Sequence, residues 1–317
     1  MPNADLRLAV SLTTFAADDP GGWDHLFTAA RAADEAGIDR VVVSDHVAFG
    51  EHLDAYARPE TGGVEGGRQP TGPDGHWLEP IVVLTAIAVQ TRRVRLGTFI
   101  LLAALRRPVV LAKQLATLDV LSRGRVDLGV GIGWQREEYE AAGLDFGARG
   151  RLLDHTLAVC QTLWREQRAD FTSPELTFTG IHAMPKPAQL GGVPIWVSGR
   201  VNERVAHRLA RFGHGWIPWG EDAADLVASI PRMRAAVEQA GGDPGFAVVG
   251  ALPAQRGDDG SVDAAATMAR VPELAAAGAT DFLVQGRAPT SPQAAADLYG
   301  ALVEAFTAAT GRRPAAG

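Results

Sequence analysis

VRLGTFILLAALRRPVVLAKQLATLDVLSRGRVDLGVG, residues 94–131, decides the fold. The stretch opens on an apolar, strand-like run, Val94–Leu101. It continues through a pattern that sets Leu111, Leu115 and Leu118 on one stripe of a helix, and closes on a second strand-like run, Arg125–Gly131. Between helix and second run stands Gly124, a residue that can take the left-handed conformation in which many helices end. Strand, helix and strand joined this tightly pair in parallel through a right-handed crossover.

Working outward, the same unit recurs along the chain. Eight strands are expected: Leu6–Leu12, Arg40–Ser44, Val94–Leu101, Arg125–Gly131, Val193–Ser198, Gly215–Trp219, Phe246–Ala251 and Thr280–Gln285. A helical pattern follows each. The fourth long helix repeats the apolar stripe with Leu153, Leu157, Cys160 and Trp164, and Gly37, Gly213 and Gly278 are expected to end helices as Gly124 does. Eight such units bury every strand edge only by closing, so the expected fold is α/β, a (β/α)8 TIM barrel forming one domain over residues 1–317, a usual length for that architecture. An open doubly wound sheet would carry fewer units or a topological break.

Two connections are longer than the rest. Phe49–Leu78, after strand two, holds ten glycines and prolines and few apolar residues, the composition of a mobile cover over a binding site. Phe171–Gly192 is expected to be an extended insertion before strand five, and Gly311–Gly317 a frayed tail.

A net charge of −7 supplies no extended basic surface for nucleic acid or an anionic membrane. Met1–Asp5 lacks the basic start of a leader, no run approaches the roughly 20 apolar residues of a membrane span, and the lone Cys160 permits no internal disulfide. A cytoplasmic protein is expected, with Cys160 as core.

In such a barrel, chemistry sits where the strands end. Thr13, Thr14, Asp45, His46, Phe99, Ile100, Gly131, Gly133, Trp134, Ser198, Gly199, Arg200, Trp219, Gln285, Gly286 and Arg287 occupy those positions. His46 is a candidate general acid or base at neutral pH, with Asp45 to orient or charge it; the plain alternative is a strand-end histidine satisfied by backbone. The chain has no His-x-His pair, which argues against a metal-hydrolase barrel, and no metal is expected. Gly129–Trp134, GVGIGW, lacks the third glycine of a dinucleotide fingerprint; small residues there let a flat ring or a backbone come close, with Trp134 available for stacking. Val197–Arg204 runs from strand into helix with Asn202 as N-cap, so amides from Ser198 to Arg200 are candidates to hold a phosphate, aided by Arg200 and Arg287. An ordinary turn with solvated arginines is the alternative. Glu137 and Glu138 either line the pocket or complement a helix dipole.

EAGIDRVVVSDHV (35–47), VRLGTFIL (94–101), RPVVLAKQLATLDVLSRGRVDLGVGIGWQREEYEAAG (107–143), VPIWVSGR (193–200) and GHGWIPW (213–219) together resemble the luciferase-like monooxygenases. The SDHV strand end, the Gly/Pro loop before WLEP and the LGVGIGW block are similar to the subgroup that uses coenzyme F420. The resemblance implies a deazaflavin across the barrel mouth, its ring near strands two to four and its phosphate near strand five. It implies cofactor contacts from Asp45, His46, Thr98, Phe99, Ile100, Gly131, Gly133, Trp134, Ser198, Gly199, Arg200, Trp219 and Arg287, with His46 and Asp45 catalytic. It also implies a non-prolyl cis peptide at Phe99–Ile100. Trp134 stands where related deazaflavin dehydrogenases carry an acid, and VSGR replaces their commoner V-G-G.

The expected activity is hydride transfer between F420 and a small organic substrate under the Phe49–Leu78 loop. An FMN-dependent monooxygenase of the same fold, fed by a partner reductase, is the first alternative, and a non-catalytic flavin-binding protein the second. The relatives' habit suggests a homodimer.

Overall fold

Every residue of Arg40–Val43 is buried, so this apolar run has become a strand covered on both faces, by the barrel interior on one side and by helices on the other. The computed structural model describes residues 6–312. Eight parallel strands close into a barrel: β1 (Arg7–Ser11), β2 (Arg40–Val43), β3 (Arg95–Thr98), β4 (Val126–Val130), β5 (Ile195–Gly199), β6 (Gly215–Pro218), β7 (Ala247–Pro253) and β8 (Asp281–Gln285). The ring shuts where β1 pairs with both β8 and β2, Arg7 opposite Asp281 and Ala9 opposite Arg40. Eight helices alternate with the strands: α1 (Asp24–Ala36), α2 (Pro80–Ala88), α3 (Pro108–Ser122), α4 (Arg149–Arg165), α5 (Glu203–Phe212), α6 (Leu226–Gln239), α7 (Val271–Ala277) and α8 (Pro292–Thr310). Leu111, Leu115 and Leu118 of α3 and Leu153, Leu157, Cys160 and Trp164 of α4 all face inward, and burial pushes the Cys160 thiol far up. No described helix is long and apolar enough to cross a membrane.

Inside the barrel, Ala9, Val42, Trp196, Ile217, Val249 and Leu283 pack together. Beneath them lies a buried ion network. Arg40 donates to Asp127 at 2.8 Å and Asp281 at 2.9 Å, Arg95 adds two bonds of 2.7 Å to Asp127, and the Arg40 guanidinium stacks on Trp196. Burial opposes the Asp127 charge, but Arg40 and Arg95 outweigh it and hold this carboxyl below the usual range.

β3 is shorter than its apolar run: the ladder stops at Thr98, the Phe99–Ile100 peptide is cis, and pairing resumes only as a bridge from Leu101 to Val130. Glycine makes room for this detour. A Cβ on Gly129 would stand 2.0 Å from the Thr98 carbonyl oxygen, so the approach anticipated at GVGIGW is that of a neighbouring backbone. Gly213 corrects another expectation, ending α5 with an extended φ of −81°. It is glycine because a Cβ would meet the Leu209 carbonyl at 2.8 Å and Leu209 Cδ1 at 2.4 Å.

The Phe171–Gly192 segment begins in an antiparallel ribbon, Ala169–Thr172 with Thr177–Ile181, and then crosses the barrel end away from the strand tips. There Gln189 bonds Asp119 and the Val126 carbonyl at the start of β4. Of the expected tail, Arg312 is tied down, since it clasps Asp39 with bonds of 2.5 and 2.6 Å. Residues 1–5 and 313–317 lie outside the described part.

Candidate active site

The strand tips open into a cavity of about 530 Å³. β2 contributes Asp45 and His46, the β3 detour Phe99 and Ile100, β4 Gly131, Gly133 and Trp134, β5 Ser198, Gly199 and Arg200, and β6 Trp219. The Phe49–Leu78 segment forms the roof. Two short 3-10 turns, Leu53–Ala57 and Pro59–Thr61, bring Tyr56, Pro59 and Glu60 over the cavity, and His76–Trp77 pairs antiparallel with Phe15–Ala16 from the loop after β1. Trp219 Nε1 donates to the Gly62 carbonyl at 3.0 Å and Arg149 Nη2 to that of Thr61 at 3.1 Å. Both walls therefore hold the same tip of the roof.

Part of the cavity wall is aromatic. The His46 ring lies 4.3 Å from Phe49, 4.9 Å from Trp77 and 5.8 Å from Trp134, the last two edge-on, and Trp77 stacks on Phe15 at 4.3 Å. Tyr56 tilts over Trp134, and burial raises its phenol above the ordinary value, which keeps it a hydrogen-bond donor. Trp134 Nε1 is buried without a partner among the described residues.

The cavity wall also carries cations. Arg149, Arg200 and Arg208 stand in it with Ser198 and Asn202. Asn202 caps α5 by accepting from the Val205 amide at 3.0 Å, the turn read from sequence. Arg208 is buried, held by Asp154 at 2.5 and 3.1 Å and by the Gly150 carbonyl at 3.1 Å. Arg149 stacks on Phe146 at 3.9 Å, and burial lowers its pKa.

Asp45 and His46 are adjacent in sequence but do not pair with each other. The fully buried Asp45 carboxylate takes Arg106 at 2.6 and 3.0 Å and the Leu102 amide at 2.8 Å. Burial disfavours the Arg106 charge, yet Asp45 and Glu79 outweigh it and raise its pKa. His46 Nδ1 instead lies 3.3 Å from Glu138 Oε2. Of the two glutamates whose role was open, Glu138 thus faces the site, while Glu137 lies near the exposed His52.

Thr98 is buried below the cavity, donating to the Gly129 carbonyl at 2.7 Å. Arg287 is not among the residues of the main cavity. It lines a neighbouring chamber of about 370 Å³ with Thr13, Ser44, Gln285 and Gly286, apart from Arg200. Phe15, Ser44, Pro70, Phe99 and Gln285 border both chambers. Arg106, Arg149 and Arg208 carried no sequence signal that set them above other arginines, because the contacts that bring them to the site, with Asp45, Thr61 and Asp154, span tens of residues.

Residues 7–311 match the profile of the luciferase-like monooxygenases. An uncharacterized protein of Mycobacterium tuberculosis is 34% identical over 197 residues, 61% of this chain and 67% of its own. An F420-dependent glucose-6-phosphate dehydrogenase of Mycolicibacterium gilvum is 30% identical over 227 residues, 69% of this chain and 61% of its own. Among solved structures, an F420-dependent secondary alcohol dehydrogenase in complex with an F420–acetone adduct superposes with a TM-score of 0.74, covering 95% of this chain and 99% of its own at 17% identity.

Proposed function

The chain belongs to the luciferase-like monooxygenase family, and on that premise we propose that it is an oxidoreductase that transfers a hydride between coenzyme F420 and a small organic substrate. The observation that carries this reading is the make-up of the cavity wall, where aromatic rings and the β3 detour share one cavity with three guanidiniums and a capped helix start. A planar ring joined through a polyol to a phosphodiester calls for both kinds of lining, and the residues fit it.

Phe99, Ile100, Gly131 and Trp134 would bound the ring. Ser198, Arg200 and Arg208 would hold the phosphate. A bound deazaflavin supplies a two-electron carbon centre that accepts or releases hydride and reacts poorly with oxygen. The protein's own work is to orient the reactants, exclude water and manage one proton. His46 would do the last: its Nε2 would take the hydroxyl proton of a carbinol substrate during oxidation and return it to the oxygen during reduction. The substrate's reacting carbon would lie in the larger cavity, within reach of His46 and under the Tyr56–Pro59 part of the roof.

The chain is also proposed to form a homodimer through the exposed apolar residues Val82 and Val89 of the α2 region and Val110 and Leu121 of α3.

Titration with F420 and FMN side by side tests the cofactor assignment. Tighter binding of F420, with turnover of an alcohol or carbonyl panel, is the expected result. Tighter binding of FMN, with activity only when a reductase supplies reduced flavin, overturns it in favour of a flavin monooxygenase.

A further inference from the structure

We propose that Glu138 is the positioning residue of this site: it fixes the tautomer of His46 so that Nε2 meets the substrate as a base. The proposal rests on the reading of His46 as the proton-transfer group, and its geometry stands independently of which cofactor binds.

Glu138 lies in the short helix Arg136–Ala141, yet its side chain is only 1% exposed. Its carboxylate is spread over three donors on one segment. Oε1 accepts from the Val47 amide at 2.6 Å and the Ala48 amide at 3.4 Å, and Oε2 faces His46 Nδ1 at 3.3 Å. With Oε1 accepting from two backbone amides, the carboxylate faces this segment as an acceptor, and Oε2 is the oxygen left for Nδ1. The hydrogen between it and Nδ1 therefore belongs to the imidazole. In the neutral ring, a protonated Nδ1 leaves Nε2 with a lone pair.

Among the described residues, no other carboxylate or carbonyl is seen bonded to the ring. Its other neighbours are Phe49, Trp77 and Trp134, and the carboxylate of the adjacent Asp45 is committed to Arg106 and the Leu102 amide. The bonds to Val47 and Ala48 have a second effect. They hold the chain just beyond His46, where the roof begins, so one carboxylate sets the ring's position, its orientation and its protonated nitrogen together.

Glu138→Gln separates these effects. The amide oxygen can still accept from Val47, so the backbone stays in place, but the amide NH2 now donates to Nδ1. The ring must then carry its hydrogen on Nε2, where it cannot accept a proton.

The test is long-range ¹⁵N–¹H NMR of the full chain labelled in histidine. His46 is assigned by loss of its signals in His46→Gln, spectra are taken with and without F420, and Glu137→Gln serves as the surface control. The wild type is expected in the Nδ1–H form, E138Q in the Nε2–H form and E137Q unchanged. In turnover, E138Q is expected to lose about 10²–10⁴-fold in kcat, the usual contribution of a positioned acid or base, with Kd for F420 unchanged. An Nε2–H tautomer in the wild type, or wild-type kcat in E138Q, overturns the proposal, and the wild-type spectrum decides it even if E138Q fails to fold. If the tautomers behave as expected but His46→Gln turns over normally, the positioning role stands and the proton-transfer role of His46 falls.

Discussion

Arg106→Met removes the partner of a fully buried carboxylate. In the native protein Asp45 accepts three short bonds, two from Arg106 and one from the Leu102 amide, and its side chain is 0% exposed. Without the guanidinium one bond remains. Removing one member of a buried pair typically costs about 3–5 kcal/mol. At roughly 2 °C per kcal/mol for a chain of this size, that corresponds to a fall of about 6–10 °C in Tm. Urea unfolding of the wild type, R106M and Asp45→Asn/Arg106→Met reads this out. The double variant, with neither charge of the pair left, should recover most of the loss. No recovery in the double variant refutes the electrostatic account.

Trp219→Phe removes the indole N–H that bonds the Gly62 and Gly63 carbonyls at 3.0 and 3.3 Å. Losing a neutral bond worth about 0.5–1.5 kcal/mol should speed amide exchange across residues 61–67 by about 2–13-fold, and unchanged exchange would show that this latch does not hold the roof. Asp127→Asn addresses acid stability. The Asp127 carboxyl is held below its ordinary value of 3.8, so the stability it contributes is present above that pH and lost as pH falls through the lower, folded value. The wild type should therefore weaken steeply under acid below about pH 4, whereas D127N, weaker at neutral pH, should show a shallower acid slope; parallel slopes would assign the acid sensitivity elsewhere.

The barrel was legible because its signals are local. A strand covered on both faces reads as an apolar run, a helix on a barrel as one stripe, and the glycine turns between them separate the units, as in residues 94–131. Where two demands met on one glycine, the reading failed: Gly213 is small for the sake of Leu209 and does not turn left-handed. Topology alone brought His46, Phe99, Trp134, Ser198 and Trp219 to one cavity, since all end strands of one closed sheet. The pairings within that cavity were not legible. Glu138 meets His46 across 92 residues and Arg106 meets Asp45 across 61, and no periodicity encodes a partner at such range. Arg287 had the right strand-end position, but it borders the smaller chamber.

The ribbon between Phe15–Ala16 and His76–Trp77 has a mechanical corollary. It sews the downstream root of the roof to the connection that leaves β1, while the tip at Thr61–Gly63 takes side-chain bonds from Arg149 and Trp219 and has no ladder of its own among the described residues. A cover bound along one margin opens like a page: the free corner swings out and the bound edge stays. Traffic through this enzyme should then pass beneath Tyr56 and Pro59, leaving the Phe15–Trp77 stack undisturbed as molecules come and go.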